Sequence, residues 1–150
     1  MSKVLKIRKI FLQSSEIIIS DPVSSTGYKD YKVDTEYNCK SEYQEVIHND
    51  ETSYIVSLNF NIYNRIDNDP LYNLNFIYSG LFTPKNYTPE DLELVLAIEC
   101  PEIILPYARL HATTVTTQTG LSPVMIQNIN FEELYEEQKN MELQWWILIL

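Results

Sequence analysis

Polar and apolar residues alternate with a two-residue period through most of the first half of the chain, the pattern of β-strands with one face buried. Leu5, Ile7, Lys9 and Phe11 alternate with Lys6, Arg8 and Ile10, and Glu16–Ser20 continues as an extended apolar segment. Asp21-Pro22 starts a turn, and Val23–Asp30, with Ser24, Ser25 and Gly27, reads as a loop. From Tyr31 the alternation is clear, with Tyr31, Val33, Thr35, Tyr37, Cys39, Ser41 and Tyr43 on one face and Lys32, Asp34, Glu36, Asn38, Lys40 and Glu42 on the other. That is a half-solvated antiparallel strand. After a turn at His48-Asn49-Asp50, a third strand places Tyr54, Val56, Leu58, Phe60 and Ile62 together. Asp67-Asn68-Asp69-Pro70 is a strong turn signal, and a fourth strand puts Tyr72, Leu74, Phe76 and Tyr78 inward with Asn73 and Asn75 outward. The last two strands form a hairpin.

Past residue 85 the period lengthens. Thr88-Pro89-Glu90-Asp91 is a helix start, with Thr as N-cap, Pro at the first helical position and carboxylates in the first turn. A helix from about Pro101 to Thr119 follows, carrying Ile103, Ile104, Tyr107, Ala108, His111 and Val115 at helical spacing, and Pro106 inside it predicts a kink or a short break. Gly120 is its stop. Gly120–Asn130 is an apolar loop containing Leu121, Pro123, Val124, Met125, Ile126 and Ile129. A final helix begins at the cap Asn130, with Phe131, Leu134, Tyr135, Gln138 and Met141 as its inner stripe. Four strands followed by helices, with no internal repeat, define an α+β chain sized for one domain over residues 1–150.

Charge narrows the range of partners. The net charge is −10, from 11 basic and 21 acidic residues. It is unevenly placed, +2 over residues 1–40 and −12 over residues 41–150. A surface that negative disfavours nucleic acid and anionic membranes and suits basic partners. Three isolated glycines exclude a phosphate-cradling loop, Walker A or dinucleotide fingerprint. Two cysteines without a CxxC pair, and two histidines, make neither a disulfide framework nor a structural zinc site. Lys3, Lys6, Arg8 and Lys9 interleave with apolar residues instead of preceding an apolar block, so no signal peptide is expected, and no stretch reaches the roughly 20 apolar residues of a membrane span. The expectation is a reduced, cytoplasmic, metal-free and cofactor-free protein.

Catalytic candidates are few. His48 falls in a turn, His111 lies between apolar positions on a helix, and Cys100 precedes Pro101 at an expected helix start, where the dipole could lower a thiol pKa. Against each stands a plainer role: a solvated histidine, a packed histidine, a small buried thiol. Glu132/Glu136 and Glu133/Glu137 are like-charged i,i+4 pairs on a solvated helix face. Asp67 and Asp69 lack the twelve-residue calcium pattern. Eleven tyrosines, several on alternating strand positions, offer apolar area with a polar tip, which suits both sheet packing and contact with varied peptides.

The run Cys100-Pro101-Glu102-Ile103-Ile104-Leu105-Pro106-Tyr107-Ala108-Arg109 resembles the signature that opens the long helix of the SecB family of bacterial export chaperones. Gly80-Leu81-Phe82 is similar to the family's Gly-Ile-Phe, Gly120 and Pro123 to its helix-connecting loop, and Asn130-Phe131-Glu132-Glu133-Leu134-Tyr135 to the start of its last helix. The spacing holds from about Tyr72 to Tyr135, whereas residues 1–70 match only in strand order and loosely at Asp30-Tyr31. The resemblance implies a four-stranded antiparallel sheet with a long helix and a C-terminal helix packed on one face. It also implies a homotetramer built as a dimer of dimers, its long helices (Ile104, Tyr107, His111, Val115) at the interface. Its function would be an ATP-independent holdase for unfolded polypeptides or preproteins, handing them to the motor SecA. The client groove would draw on Val33, Thr35 and Tyr37 of the second strand, on Leu121, Val124, Met125 and Ile126 of the loop, and on Tyr135. Each of these could equally cap the protein's own core.

Three departures shape the alternatives. Ser122 stands where the family loop carries an aromatic. Of three acidic SecA-docking positions only Glu16 is acidic, Ser20 and Asn75 occupying the others. The chain ends Trp145-Trp146-Ile147-Leu148-Ile149-Leu150 where the family tail is polar. Burying those six side chains is worth on the order of 10 kcal/mol, so the tail is expected against a neighbouring subunit, over the client groove or along its own helix. A dedicated chaperone of a toxin–antitoxin system, and a peptide- or small-ligand-binding module without chaperone activity, are the alternative functions. A hydrolase using Cys100 or His111 stands last.

Overall fold

The computed structural model describes residues 1–20, 33–66, 69–120 and 123–149, with no side-chain placement for Val33 or residues 142–149. The expected loop 21–30, the turn residues Asp67 and Asn68, and Leu121, Ser122 and Leu150 lie outside the described residues, as do the tail side chains.

Four antiparallel strands, β1 (Val4–Ile19), β2 (Val33–His48), β3 (Glu51–Ile66) and β4 (Asp69–Lys85), form one sheet in the order β1-β4-β3-β2. The β2–β3 hairpin closes on Asn49 and Asp50, both at positive φ (51° and 59°), so the polar pair predicted as a turn supplies a twist-compatible two-residue connection. On β3 and β4 the predicted alternation holds: Val56, Leu58, Phe60, Ile62, Tyr72, Leu74 and Phe76 are all buried under the helices. Phe60 and Phe76 are register partners and stack with ring centroids 5.1 Å apart.

β1 departs from the simple alternation. It is one 16-residue strand, interrupted by register shifts between Ile7 and Lys9 and between Leu12 and Ser14. Each extra residue resets the side-chain phase. Ile7, opposite Phe82, is on the helix side, whereas Lys9 (opposite Leu81) and Phe11 (opposite Ser79) lie on the other face. The expected grouping of Leu5, Ile7, Lys9 and Phe11 is therefore corrected.

The helical layer begins where the Thr88-Pro89 signal places it. The Thr88 hydroxyl accepts from the Asp91 N–H at 3.2 Å. α1 (Pro89–Leu94) runs through a π-helical turn (Val95–Glu99) into α2 (Cys100–Thr117), so the helix expected from Pro101 starts twelve residues earlier. Pro101 supplies a reason for the wide turn. A proline ring crowds the carbonyl four residues back, and a π turn just ahead of it relieves that contact. Pro106 does not break the helix; it is exposed, and α2 continues to Thr117. Gly120 then takes φ +79°, a left-handed value that ends the helical segment. The Asn130 Oδ1 accepts from the Glu133 N–H at 3.1 Å, capping α3 (Phe131–Ile149) as predicted. Among the described side chains of α3, those of the first turns pack inward. Phe131 is 1% exposed and Leu134 and Tyr135 are half-buried, while Gln138 and Met141, expected in the stripe, are exposed.

Candidate functional site

Two surfaces of the sheet are chemically distinct. On the helix side, β2 is an edge strand that the helices only partly cover. Its inward row, set by the alternation, runs Tyr37, Cys39, Ser41, Tyr43, Glu45 and Ile47, facing the same way as the inward residues of β3 through the pairs Tyr37–Ile62, Cys39–Phe60, Ser41–Leu58, Tyr43–Val56 and Glu45–Tyr54. Yet Tyr37, Tyr43 and Ile47 are 40%, 48% and 68% exposed. Between this row and α3 lies a groove of about 130 Å³, lined by Ser41 and Tyr43, by Ala97 of the π turn, and by Phe131, Leu134 and Tyr135. Tyr43 meets Tyr54 edge-on at 6.4 Å, and the Lys139 ammonium sits 5.0 Å from the Tyr135 ring centroid. Apolar patches at Phe131 and Leu134, phenol tips, and the polar groups of Glu93, Gln138 and Lys139, which also line the groove, form a mixed surface that can hold an extended segment without requiring one particular sequence.

The groove residues expected from sequence separate here. Tyr135 lines the groove, and Tyr37 lies on the same inward row, nearer the start of β2. Thr35 is exposed and accepts from the Asn64 amide at 3.1 Å. Met125 is 69% exposed, but Val124 and Ile126 are only 4% and 2% exposed, part of the core with Phe131, so they offer no surface in this conformation. The loop is pinned there by Thr116, whose hydroxyl accepts from the Val124 N–H at 2.9 Å and donates to the Ala112 carbonyl at 2.8 Å. Ser41, Tyr43 and Ile47 were not singled out as site residues. The period-two pattern that names Val33, Thr35 and Tyr37 extends to them, but only the end of the helical layer reveals which rungs stay open.

On α2, Ile104 is fully buried in the chain's own core and cannot meet another subunit. Tyr107 is 49% exposed and Leu110, one turn on, is 68% exposed. His111 is half-buried, its ring 4.9 Å from that of Phe76 and its Nε2 2.9 Å from the Ser15 Oγ; Val115 packs on the core edge. The exposed stripe is therefore Tyr107 and Leu110.

Nucleophilic chemistry finds no support in the geometry. Cys100 is buried in the middle of a continuous helix, not at a helix start, and burial first, then the Glu99 charge, pushes its thiol up to about 12. That is the reverse of activation. Burial likewise pushes Cys39 up to about 12 and His111 below its ordinary value. Exposed His48 sits at the β2 end. Among the described residues, no three His, Cys, Asp or Glu side chains gather where a metal could be held.

The second surface, opposite the helices, is a polar ladder. Ser53 bonds Thr83 at 2.7 Å, Ser57 bonds Ser79 at 2.8 Å, and the Asn61 amide donates to Asn75. Glu16 is the register partner of Asn75 there, so the expected docking spot carries one carboxylate beside an amide.

The described residues thus form an α+β scaffold with a groove of mixed polarity at the β2 edge and a polar face on the other side of the sheet. Comparison with known sequences gives the family: the SecB profile, described as preprotein translocase subunit SecB, matches residues 2–142, and this chain belongs to the SecB family. The protein-export protein SecB of Neisseria meningitidis serogroup C is 36% identical over 90 residues, covering 59% of this chain and 61% of that protein. That of Methylobacillus flagellatus is 32% identical over 90 residues, covering 60% and 57%. The chain thus matches about three-fifths of the length of these curated relatives. Among solved structures, the SecB-like chaperone Rv1957 of Mycobacterium tuberculosis, in complex with a ChAD peptide from the HigA1 antitoxin, shares the fold. Its TM-score is 0.67 at 14% identity, covering 83% of this chain and 90% of that one. Among the described residues no helix is long and apolar enough to cross a membrane.

Proposed function

We propose that the protein is an ATP-independent holdase that keeps unfolded polypeptides, preproteins among them, from aggregating before export. The observation that carries this reading is the open inward row of β2, Tyr37, Tyr43 and Ile47, standing beside the groove walled by Leu134 and Tyr135. Large apolar side chains left in water at the edge of a well-packed core mark an interaction surface. The chain acts as one domain over residues 1–150, in the cytoplasm, as a tetramer made of two dimers. Tyr107 and Leu110 of α2 contribute to the subunit contacts. Several grooves in one assembly then engage one client at high effective concentration.

A second reading, a dedicated SecB-like chaperone serving one antitoxin-like partner, is favoured by the Glu16–Asn75 pair, where an acidic docking face for SecA would want more than one carboxylate. The test is suppression of light scattering by a chemically unfolded protein, without nucleotide. Wild type suppresses aggregation; Y43S/Y135S loses about thirtyfold in client affinity, the effect of two aromatic anchors each worth about 1 kcal/mol. No suppression by wild type, or full suppression by the variant, refutes the holdase. Binding of the C-terminal segment of SecA in a separate titration favours export, and its absence favours the dedicated role.

A further inference from the structure

Across the polar sheet face the charge is not uniform, and one end of it is basic in a chain whose net charge is −10. Lys6 and Lys9 of β1 lie opposite Thr83 and Leu81, and Lys85 ends β4 opposite Val4. The bulge adds Arg8, whose Nε donates to the Thr83 hydroxyl at 3.1 Å and whose Nη2 pairs with Glu51. Lys85 acts on the same carboxylate, which Arg8 and then Lys85 hold below its ordinary value. Four cations thus share one acidic neighbour, and Lys6, Lys9 and Lys85 are exposed. The carboxylates of this face lie across the sheet on β2, where Glu36 pairs with Arg65 and Glu42 with Lys40 at 3.1 Å. Glu16 sits farther along β1.

Next to the cations is a hollow of about 340 Å³ with an apolar floor of Phe11, Ile55 and Ile77, Gln13 and Ser57 on its rim, and Glu42 and Tyr43 closing its β2 side, away from the lysines. The Lys9 ammonium stands 4.8 Å from the Phe11 ring centroid, so the charged and apolar parts meet at that pair. We propose that this face docks a partner protein through an acidic segment bearing one apolar anchor, the anchor in the Phe11–Ile55–Ile77 hollow and the carboxylates on Lys6, Lys9 and Lys85. A folded or extended protein segment fits better than nucleic acid or membrane. The rest of the chain repels polyanions at long range, and a hollow of this size accommodates an apolar side chain. The client groove opens on the opposite face and shares Tyr43 with this hollow, so the two sites are separated by changing the β1 lysines, which line only this face.

The probe is a fluorescently labelled peptide in which one leucine is flanked by aspartates, titrated against the full chain at low salt and read by anisotropy. Saturable binding is expected, weakened at high salt, weakened when leucine is replaced by serine, and weakened about tenfold by K6E/K9E, which turns two exposed attractions into repulsions. K6E/K9E keeps the aggregation suppression of wild type, which separates loss of docking from loss of fold or of client binding. Absence of wild-type binding, equal binding of a lysine-for-aspartate peptide, or undiminished binding by K6E/K9E overturns the proposal. So does charge-dependent attachment to phosphatidylglycerol vesicles by a chain that ignores the peptide.

Discussion

Replacing Gly80 by alanine sets two general rules against each other, and the structure decides between them. Strand propensity favours alanine, since glycine inside a strand is worse by about 0.5–1 kcal/mol. Gly80 does not need glycine's backbone freedom either; Gly120 is the described glycine with positive φ. A Cβ at Gly80, however, would meet the Phe82 ring at 2.5 Å (Cε2) and 2.8 Å (Cζ), and the Ile10 Cδ1 at 3.0 Å. Phe82 is 0% exposed, so its ring has no solvent to swing into. Overpacking of this kind costs about 1–3 kcal/mol. Net of the propensity gain, G80A should be less stable by about 1–2 kcal/mol, a fall in Tm of about 2–8 °C for a chain of this size. Urea unfolding at fixed protein concentration measures it, with F82L and G80A/F82L completing a double-mutant cycle. A smaller, more flexible side chain at 82 should make the alanine nearly harmless, giving a coupling of about 1 kcal/mol. If G80A is as stable as wild type, or if F82L fails to relieve it, the close approach of ring and backbone is not what this position requires glycine for.

Three further outcomes follow from the buried polar groups. T116V leaves the Val124 N–H without its acceptor and should cost about 1–3 kcal/mol, with faster hydrogen exchange at Val124 as the local signature. His111 is held below its ordinary pKa by burial, so its neutral form packs on Phe76 and its contribution is complete above the unfolded value of about 6.5. That contribution is lost as pH falls through the folded pKa, so urea midpoints should decline on acidification from about 6.5 downward and decline less in H111Q. Cys39 and Cys100, both pushed up to about 12, should resist a thiol-reactive disulfide reagent at pH 8 in the native protein and react only on unfolding; rapid native labelling of either would contradict their burial.

What could be read from the sequence, and what could not, has physical causes. Strands β3 and β4 are legible because one face is sealed, which forces strict alternation from Tyr54 to Ile66 and from Tyr72 to Phe76. The phase of β1 is not legible, because nothing in the residue types of Arg8 or Gln13 announces a bulge. α2 carries apolar residues nearly all round, Ile103, Ile104, Leu105, Tyr107, Ala108 and Leu110, so spacing alone cannot say which stripe meets the sheet. That is why Ile104 was placed at an interface and Leu110 passed over. Gly80-Leu81-Phe82 was legible only as a family likeness; the ring folded over a missing side chain gives it a mechanical reason. The cap and helical spacing of α3 make Tyr135's place on the inner stripe legible, but its place in the groove is legible only through the family likeness. The role of Val124 and Ile126 as core was not, because a loop with no period gives no inside or outside.

The length of the strands sets a scale for recognition. Sixteen residues of β2 at about 3.3 Å each make an edge about 50 Å long, whereas the 18 residues of α2 rise only about 27 Å. Under the proposed function, that edge works as a graduated track, longer than α2 taken alone. A bound segment gains contacts rung by rung until it has filled the track, at about fifteen extended residues. Affinity for the proposed clients should climb with segment length up to that point and level off beyond it, a readout of how much of a chain is extended more than of what the chain spells.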